Sequence, residues 1–485
     1  MATETLIGID IGTTAIKAVL VDLDGNMLQS FARPYPTARP RPGHVDQDPS
    51  DWMNGVLAAL NAFSKGKGGD GVLGVGLTSQ VNTHVFVDAG GSPLLPAMVW
   101  QDGRCGDDAA KLDEAITPSQ KTAWFGGPLP IDASHALSRM AYVARVDPGV
   151  FATTRHVLLP KDYCALQLTG EAASDPISAV GLVDRGFAYI EELIAMVPDA
   201  RSKLPPLGDF SEAVGRVRSG LPFAGVMVFG GTMDAWAGMF GIGVIRNGDA
   251  MYLSGTSEVP GILSAKRVPT AGVIVFPSYK GITLHVAPTQ SGGASLAWAS
   301  ALLGRSADEI SALVEAAPPS ASVPLFLPHL EGERAPLWDV RSRGVFARLE
   351  TATGPGEVGR SVMEGVAFSV RLAFEAVQTS ADLVVDHLNL GGGGARSDVW
   401  CQIRADALGK TLRRVRVLDA GVVGAAALAG LGSGAMPSLE VAIDRMVSFG
   451  RIFEPDPSAR DYYDTRFDKY RELYAALKPF NEGYG

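Results

Sequence analysis

Short apolar runs that end in small or polar residues alternate along the chain with longer stretches of helical spacing. Strands are predicted by the early runs LIGIDI, AIKAVLVD and VLGVGLTS and by the later runs VMVFGG, GDAMYLSG and HLNLGGGG. The stretch SDWMNGVLAALNAFSK has the spacing of an amphipathic helix. The alternation predicts an α/β fold.

Two pairs of similar turns indicate that the chain has two related halves. Gly-Thr turns follow apolar runs at residues 12–14 and 254–257, and the runs at 75–80 and 388–394 each enter a turn of small residues. We place the boundary near IGVIRNGD, so that the domains are residues 1–246 and 247–485. The last segment has helical periodicity and is predicted to pack back on the domain junction.

Composition narrows the classes of function. A net charge of -10 over 485 residues argues against a nucleic-acid binder, which needs clustered Lys and Arg, and favours a soluble acidic enzyme. Three widely spaced cysteines match neither a disulfide framework nor a structural zinc site, so a cytoplasmic location is expected. Glu4 and Asp10 argue against a signal peptide, and the uncharged stretch 421–436 is too short to span a membrane.

The turn GIDIGTT has the features of a phosphate-binding loop. Gly12 lets the backbone approach an anion, while Thr13 and Thr14 supply hydroxyl donors. Asp10 at the strand end is placed to hold a hydrated Mg²⁺, and Lys17 adds positive charge. The alternative is a β-hairpin in which these side chains satisfy only turn backbone.

A P-loop is the obvious competitor for phosphate binding, and the chain contains Gly409-Lys410-Thr411. Residue 404, where that motif needs glycine, is Arg404, and no strand leads into the turn. The Walker pattern therefore fails.

Further motifs carry a family resemblance that spans essentially the whole chain. DIGTTAIKAVLVD and SGTS resemble the phosphate hairpins of the actin and hexokinase fold, in which two ribonuclease-H-like domains surround a central cleft. VWQDGRC, LLPKDYCALQLTG, GGTMDAWAG and LGGGGARSDVWCQIRADALG occur in the order seen in FGGY carbohydrate kinases, with xylulokinases the most similar branch. The resemblance implies ATP and Mg²⁺ as cofactors, a small sugar or polyol as substrate, and a possible homodimer.

The resemblance assigns the catalytic base to Asp234 of GGTMDAWAG, which also joins Asp10 as a metal ligand and contacts the substrate. Its role would be to accept the alcohol's proton late in the transfer, and we expect a pKa near that of an ordinary aspartate. The alternative is that Asp234 caps the following helix, and the two roles are compatible.

For the nucleotide, the resemblance assigns Gly255 and Thr256 to the phosphates and the glycines Gly392, Gly393 and Gly394 to the adenosine. Ala425, in GVVGAAALAG, is assigned to the adenine. Tight strand-to-helix packing explains the glycines equally well, and a close helix contact explains Ala425.

Sugar recognition needs convergent polar groups beside apolar walls. The candidates are Gln80, Val81, Asn82, His84, Trp100, Asp102 and Asp234. Asn82 stands where xylulokinases carry a sugar-binding histidine, and Ala235 replaces the asparagine of their Asp-Asn pair. His84 and Trp100 have core positions as the alternative, and no chemistry requires Lys161 of LLPKDY.

The leading hypothesis is ATP-dependent phosphorylation of a small sugar, with D-xylulose favoured over other ketoses and over polyols such as ribitol, erythritol and glycerol. An actin-like nucleotide-switched assembly protein shares the phosphate hairpins but gives the WQDGR and LPKDY motifs no role. A sugar sensor without catalysis is the third hypothesis, and the presence of both Asp10 and Asp234 argues against it.

Overall fold

The structure is a computed structural model that describes residues 3–126 and 129–483. The strands are β1 (Thr5–Ile11), β2 (Ala15–Asp22), β3 (Met27–Pro34), β4 (Asp46–Gln47), β5 (Val72–Ser79), β6 (Val85–Val87), β7 (Ala97–Met98), β8 (His156–Leu158), β9 (Ala213–Arg216), β10 (Met227–Met233), β11 (Ala250–Ser254), β12 (Glu258–Leu263), β13 (Ile274–Val275), β14 (Leu284–Val286), β15 (Leu325–Leu327), β16 (Val345–Ala347), β17 (His387–Gly391), β18 (Thr411–Val415) and β19 (Phe449–Phe453).

The helices are α1 (Pro49–Lys65), α2 (Gly106–Glu114), α3 (Pro118–Phe125), α4 (Ala136–Val146), α5 (Pro148–Thr153), α6 (Pro160–Thr169), α7 (Glu191–Ile194), α8 (Asp234–Gly241), α9 (Gly293–Leu303), α10 (Ala307–Ala316), α11 (Pro355–Ala381), α12 (Asp398–Leu408), α13 (Ala420–Gly432), α14 (Leu439–Met446) and α15 (Arg460–Glu482).

The elements predicted from the hydrophobic pattern are confirmed. The six apolar runs lie in β1, β2, β5, β10, β11 and β17, and the amphipathic stretch lies in α1. Helix α1 begins where Asp48 accepts a hydrogen bond from the Ser50 amide at 2.8 Å and Pro49 occupies the first turn. Its residues Trp52 and Phe63 are buried on one face, as the period of 3.6 requires.

The chain forms two compact units, and the second interrupts the first. The first unit contains residues 1–241 and 420–447, and the second contains residues 242–419 and 448–485. The predicted boundary after residue 246 lies five residues beyond this division. The return of residues 420–447 to the first unit differs from the prediction of two continuous domains, because the sequence carries no signal for which sheet a small-residue helix will cover.

Each unit is built on one large sheet, and the two sheets share a strand pattern. The first has the order β3-β2-β1-β5-β10-β9, and the second has the order β13-β14-β12-β11-β17-β18-β19. In both, an antiparallel hairpin continues into two further parallel strands and ends on an antiparallel edge strand. The predicted relation between the halves is confirmed, because β5 and β17 hold the same place in their sheets.

Helix α13 lies directly on the backbone of its neighbours in the first unit. A Cβ atom on Gly8 of β1 would lie 1.9 Å from the Val422 carbonyl oxygen, and one on Gly76 of β5 would lie 2.0 Å from that of Ala425. Only hydrogen fits at such distances, so glycine at these positions permits the helix to approach. The run GVVGAAALAG is therefore a packing surface.

The sequence predicts that the C-terminal helix packs on the domain junction, but α15 packs within the second unit. Its buried residues Tyr463, Phe467 and Tyr470 lie around Phe368 of α11, with ring centroids 5.8–6.3 Å apart. The segment that crosses back to the first unit is instead 420–447.

Among the described helices, none combines the length and the apolar character needed to cross a bilayer. All three cysteines, Cys105, Cys164 and Cys401, are buried as free thiols.

Candidate active site

The predicted phosphate turn of the first unit connects β1 to β2. The Gly12 amide donates to the Ala15 carbonyl oxygen at 3.1 Å, and the Tyr35 hydroxyl donates to the Gly12 carbonyl oxygen. Thr13 is half-buried and Thr14 is exposed. These hydrogen bonds fix the backbone of the turn, while the two threonines keep surface that is accessible to a ligand.

Thr13 is anchored by two side chains from other segments. Gln47 donates from Nε2 to the Thr13 carbonyl oxygen at 2.7 Å, and Trp100 donates from Nε1 to the Thr13 hydroxyl at 3.1 Å. Because an indole N–H is only a donor, the Thr13 hydroxyl accepts this bond and keeps its own proton for another acceptor. The structure therefore gives Trp100, predicted to contact the sugar, a bond to the phosphate turn.

Gln47 is a residue that the sequence analysis missed. Its Oε1 accepts hydrogen bonds from Trp52 Nε1 at 3.2 Å and from Gln80 Nε2 at 2.9 Å, in addition to the bond that it donates to Thr13. Gln47 and Gln80 are both buried. No motif marks Gln47, because its importance arises from three segments that meet only in the folded unit.

Asp10 lies at the end of β1, opposite Lys17 of β2 and beside Thr78 of β5 in strand register. Its side chain is half-buried, and a Cβ on Gly421 of α13 would lie 2.9 Å from Asp10 Oδ2. The glycine at the start of α13 therefore leaves room for this carboxylate. The structure brings Asp10 and the Gly12–Thr14 turn together, as predicted.

Asp234 is the first residue of α8 and directly follows β10. Its half-buried carboxylate accepts a hydrogen bond from the Ala235 amide at 2.8 Å. Burial raises the pKa of Asp234 to about 6, against the smaller opposing effect of that bond. The expectation of ordinary acidity is wrong, because the sequence did not show that the strand end would be poorly solvated.

The predicted sugar residues divide by their exposure. Val81, Asn82, Trp100 and Asp234 are half-buried, whereas Gln80, His84 and Asp102 are buried. Asn82 has a φ of 54°, in the left-handed region that Asn tolerates better than most residues, and its Nδ2 donates to Ser134 Oγ at 3.3 Å. The half-buried group has more side-chain surface to offer a ligand, although His84 and Asn82 line the same cavity.

The sequence predicts a sugar contact for Asp102, but in the structure its carboxylate forms an ion pair with Arg104. Its carboxylate accepts from Arg104 Nε at 2.8 Å, from Arg104 Nη2 at 2.6 Å and from the Val45 amide at 2.5 Å. Arg104 also pairs with Asp46. With its side chain fully buried, Asp102 holds the Trp100–Arg104 segment in place.

His84 has the core position that was the alternative to a sugar contact. Its Nδ1 accepts from Arg139 Nη1 at 3.0 Å, and Arg139 also donates to the carbonyl oxygens of Met98 and Val99. Burial, together with the positive charge of Arg139, holds the pKa of His84 well below its usual range. The ring is therefore neutral, with its proton on Nε2.

The second Gly-Thr turn, predicted to hold phosphates, lies between β11 and β12. Gly255 and Thr256 are exposed, and their carbonyl oxygens accept hydrogen bonds at 3.0 Å from the amides of Gly293 and Ala294. These amides belong to the first turn of α9 and have no partner within that helix. Helix α9 therefore anchors the turn from below.

A buried guanidinium joins both predicted nucleotide segments. Arg404 of α12 donates to the Gly394 carbonyl oxygen at 2.8 Å, to Ser254 Oγ at 2.8 Å and to Glu258 Oε1 at 3.0 Å. The residue that ruled out a Walker motif is thus the one that ties the glycine loop to the β11–β12 turn. No spacing rule in the sequence identifies it.

The glycines at 392–394 differ in their surroundings. A Cβ on Gly392 would lie 2.3 Å from the Ser254 carbonyl oxygen and one on Gly394 would lie 2.1 Å from Ser254 Oγ, whereas one on Gly393 would meet no atom within 4 Å. Close packing therefore accounts for Gly392 and Gly394. Gly393 is exposed and remains the best placed of the three to approach a ligand.

Ala425 does not have the predicted position against adenine. It is fully buried in α13 of the first unit, where its carbonyl oxygen faces Gly76 of β5. The close helix contact is the correct explanation. A run of alanines and glycines looks alike whether it packs on a strand or on a ligand.

Substitution of the two neighbouring glycines should separate packing from exposure. We expect Gly394→Ala to lower the free energy of unfolding by about 1–3 kcal/mol, because the added methyl displaces Ser254 from Arg404. The matched variant Gly393→Ala should stay within about 0.5 kcal/mol of the parent. Urea unfolding followed by circular dichroism measures both, and equal losses would contradict this assignment.

In the described parts of the chain, no group of three or more His, Cys, Asp or Glu side chains is arranged to hold a metal ion. A metal held entirely by protein ligands therefore has no support within residues 3–126 and 129–483.

Comparison with known proteins places both parts of the chain in one family. Residues 5–241 match the N-terminal domain, and residues 250–433 the C-terminal domain, of the FGGY family of carbohydrate kinases. A xylulose kinase of Escherichia coli (strain K12) is 31% identical over 490 residues, which cover 98% of this chain and 99% of that protein.

Solved structures give the same result. A structure described as a xyloylose kinase from Brucella ovis is 30% identical to this chain, with a TM-score of 0.85. The match covers 98% of this chain and 100% of the chain in that structure. The xylulose kinase of Rhodospirillum rubrum is 26% identical with a TM-score of 0.84, covering 99% and 100%. These likenesses favour a kinase over an assembly protein or a sensor, and this chain belongs to the FGGY family of carbohydrate kinases, enzymes that transfer phosphate from ATP to a sugar.

Proposed function

We propose that this kinase transfers the γ-phosphoryl group of ATP to a hydroxyl of a ketopentose, with D-xylulose as the favoured substrate and Asp234 as the base. The observation that carries the mechanism is the Asp234 carboxylate, half-buried at the start of α8 with a pKa raised to about 6. A base with a pKa close to the working pH accepts a proton more effectively than an ordinary aspartate.

Phosphoryl transfer asks a protein mainly to position the reactants and to stabilise charge. In this proposal Asp234 accepts the proton of the attacking hydroxyl, and the hydroxyls of Thr13 and Thr14 donate to phosphate oxygens. The bond from Trp100 supports this role, since it leaves the Thr13 proton free to be donated. Lys17, opposite Asp10 in the hairpin, adds a positive charge near the turn.

In this proposal the two units have different roles in binding and catalysis. The first supplies the base and the sugar contacts, from Val81, Asn82 and Trp100. The second supplies Gly255, Thr256 and Gly393 to the nucleotide. Their exposure, and the Arg404 bonds that hold both segments together, support the assignment.

Mg²⁺ fits the residues of this chain in one particular manner. Mg²⁺ takes one or two carboxylates and completes its shell with water and substrate phosphates. The Asp10 carboxylate beside the Gly12–Thr14 turn suits that role, and Asp234 is the second carboxylate that we assign. When bound, the ion would neutralise phosphate charge.

The choice of substrate rests on relatives named xylulose kinase and on two departures from their motif. Asn82 replaces a histidine with a different polar side chain, and Ala235 replaces an asparagine and so removes one amide that such a site would use. A site that loses polar partners discriminates less among hydroxylated substrates. Another ketose, or a polyol of the ribitol, erythritol or glycerol type, is therefore the second candidate.

Replacing the proposed base tests the mechanism. We expect Asp234→Asn to lower kcat by ~10²–10⁴-fold, because the amide cannot accept the proton. ATP affinity, measured by calorimetry without Mg²⁺ so that the second proposed role of Asp234 does not contribute, should change by less than about twofold. The control Asp147→Asn alters an exposed helix cap in the same unit and should retain full activity. Unchanged sugar phosphorylation in Asp234→Asn would exclude this base.

The pH dependence of the reaction tests the raised pKa. At saturating ATP, kcat/KM for the sugar should decrease as the pH is lowered, because protonated Asp234 cannot act as a base. The midpoint of this decrease should lie near pH 6. Burial also raises the pKa of Glu258 to about 7, but Glu258 is paired with Arg404 and should act through KM for ATP. A midpoint near pH 4 would contradict the prediction.

A coupled ADP-release assay across pentuloses, hexuloses, pentitols, tetritols and glycerol tests the substrate. We expect the highest kcat/KM with D-xylulose, and acceptor-dependent release from Asp234→Asn that is ~10²–10⁴-fold slower with every compound. A polyol that exceeds every ketose would transfer the assignment to the second candidate.

A further inference from the structure

Lys161 of the LLPKDY motif has no role in the chemistry proposed above, yet it is completely buried. Its Nζ lies 2.6 Å from Asp162 Oδ1 and 2.8 Å from Asp175 Oδ2. Burial alone would lower the pKa of Lys161, but the two carboxylates outweigh burial and raise it. A charged lysine thus holds two buried carboxylates together.

Asp175 passes this anchoring on to the strand that carries Asp234. Its Oδ1 accepts from Thr232 Oγ1 at 2.9 Å and from the amides of Ile177 and Ser178 at 3.1 and 3.0 Å. On the other side, Thr78 Oγ1 donates to the Thr232 carbonyl oxygen at 2.6 Å. Thr232 is therefore held through both its side chain and its backbone.

The strand needs such anchoring because it is irregular at this point. The pairing of β10 with β5 shifts register between Phe229 and Thr232. Gly231 between them has a φ of 61°, and a Cβ there would lie 1.8 Å from the Leu77 carbonyl oxygen. Bulges of this kind re-aim the residues that follow them. Asp234 begins α8 two residues after Thr232.

We propose that the buried triad of Lys161, Asp175 and Thr232 positions the Asp234 carboxylate. This inference rests on the proposed role of Asp234 as the base, and it makes the triad a set of positioning residues that act through the strand. Buried ion pairs add little net stability compared with apolar packing, but they can specify one conformation. That property suits a strand end which must aim one side chain.

The test compares Thr232→Val, which removes the bond to Asp175, with Thr232→Ser, which keeps a hydroxyl. In Thr232→Val we expect kcat to fall ~10–100-fold through misplacement of the base. KM for ATP should stay unchanged, because the triad does not contact the nucleotide segments. Thr232→Ser should restore kcat. If Thr232→Val does not fold, Thr232→Ala replaces it with the same expectations.

Ser174→Ala is the matched control, because Ser174 Oγ donates to the other carboxylate, Asp162, at 2.7 Å. It should lower the melting temperature without changing kcat. A parent value of kcat in Thr232→Val would overturn the inference, as would an equal loss of kcat in Ser174→Ala. If Asp234→Asn stays active, the proposed base itself fails; if Asp234→Asn is inactive while Thr232→Val behaves as the parent, only the positioning role fails.

Discussion

The approach of helix α13 to the backbone of its neighbours is the constraint on which the first unit depends. Glycines on both sides of the contact bring α13 against β1 and β5, and a Cβ on Gly424 would lie 1.9 Å from the Ala237 carbonyl oxygen of α8. Side chains would separate these elements by several ångströms. One helix thus packs against both the strand that carries Asp10 and the helix that begins at Asp234.

Each unit contains a buried cationic side chain that joins several polar groups. Lys161 joins Asp162 and Asp175 in the first, and Arg404 joins Glu258, Ser254 and the Gly394 carbonyl oxygen in the second. Desolvating a charge is costly, so a buried cation is retained only where its partners are held in good geometry. Arg404 directly joins segments that are far apart in sequence, whereas Lys161 reaches the distant strand β10 through the bond between Asp175 and Thr232.

The candidate site separates into side chains that face outward and side chains that support them. Thr13, Thr14, Asn82 and Asp234 are accessible or half-buried, while Gln47, His84 and Asp102 are buried and form side-chain hydrogen bonds within the protein. This arrangement explains why motif residues and site residues differ. The motifs contain members of both groups, such as Asp234 and Asp102, whereas Gln47 supports the site without belonging to a motif.

The sequence by itself determined the α/β class and the two related halves, and it predicted the two Gly-Thr turns and Asp234 as site residues, because each depends on local periodicity or on a short motif. It did not determine that residues 420–447 return to the first unit or that Ala425 packs on β5, since small residues suit any close contact. Nor did it show that Asp102 and His84 are buried, that Gln47 joins three segments, or that burial raises the pKa of Asp234. Those properties depend on desolvation and on contacts between distant segments, and only the tertiary structure decides either.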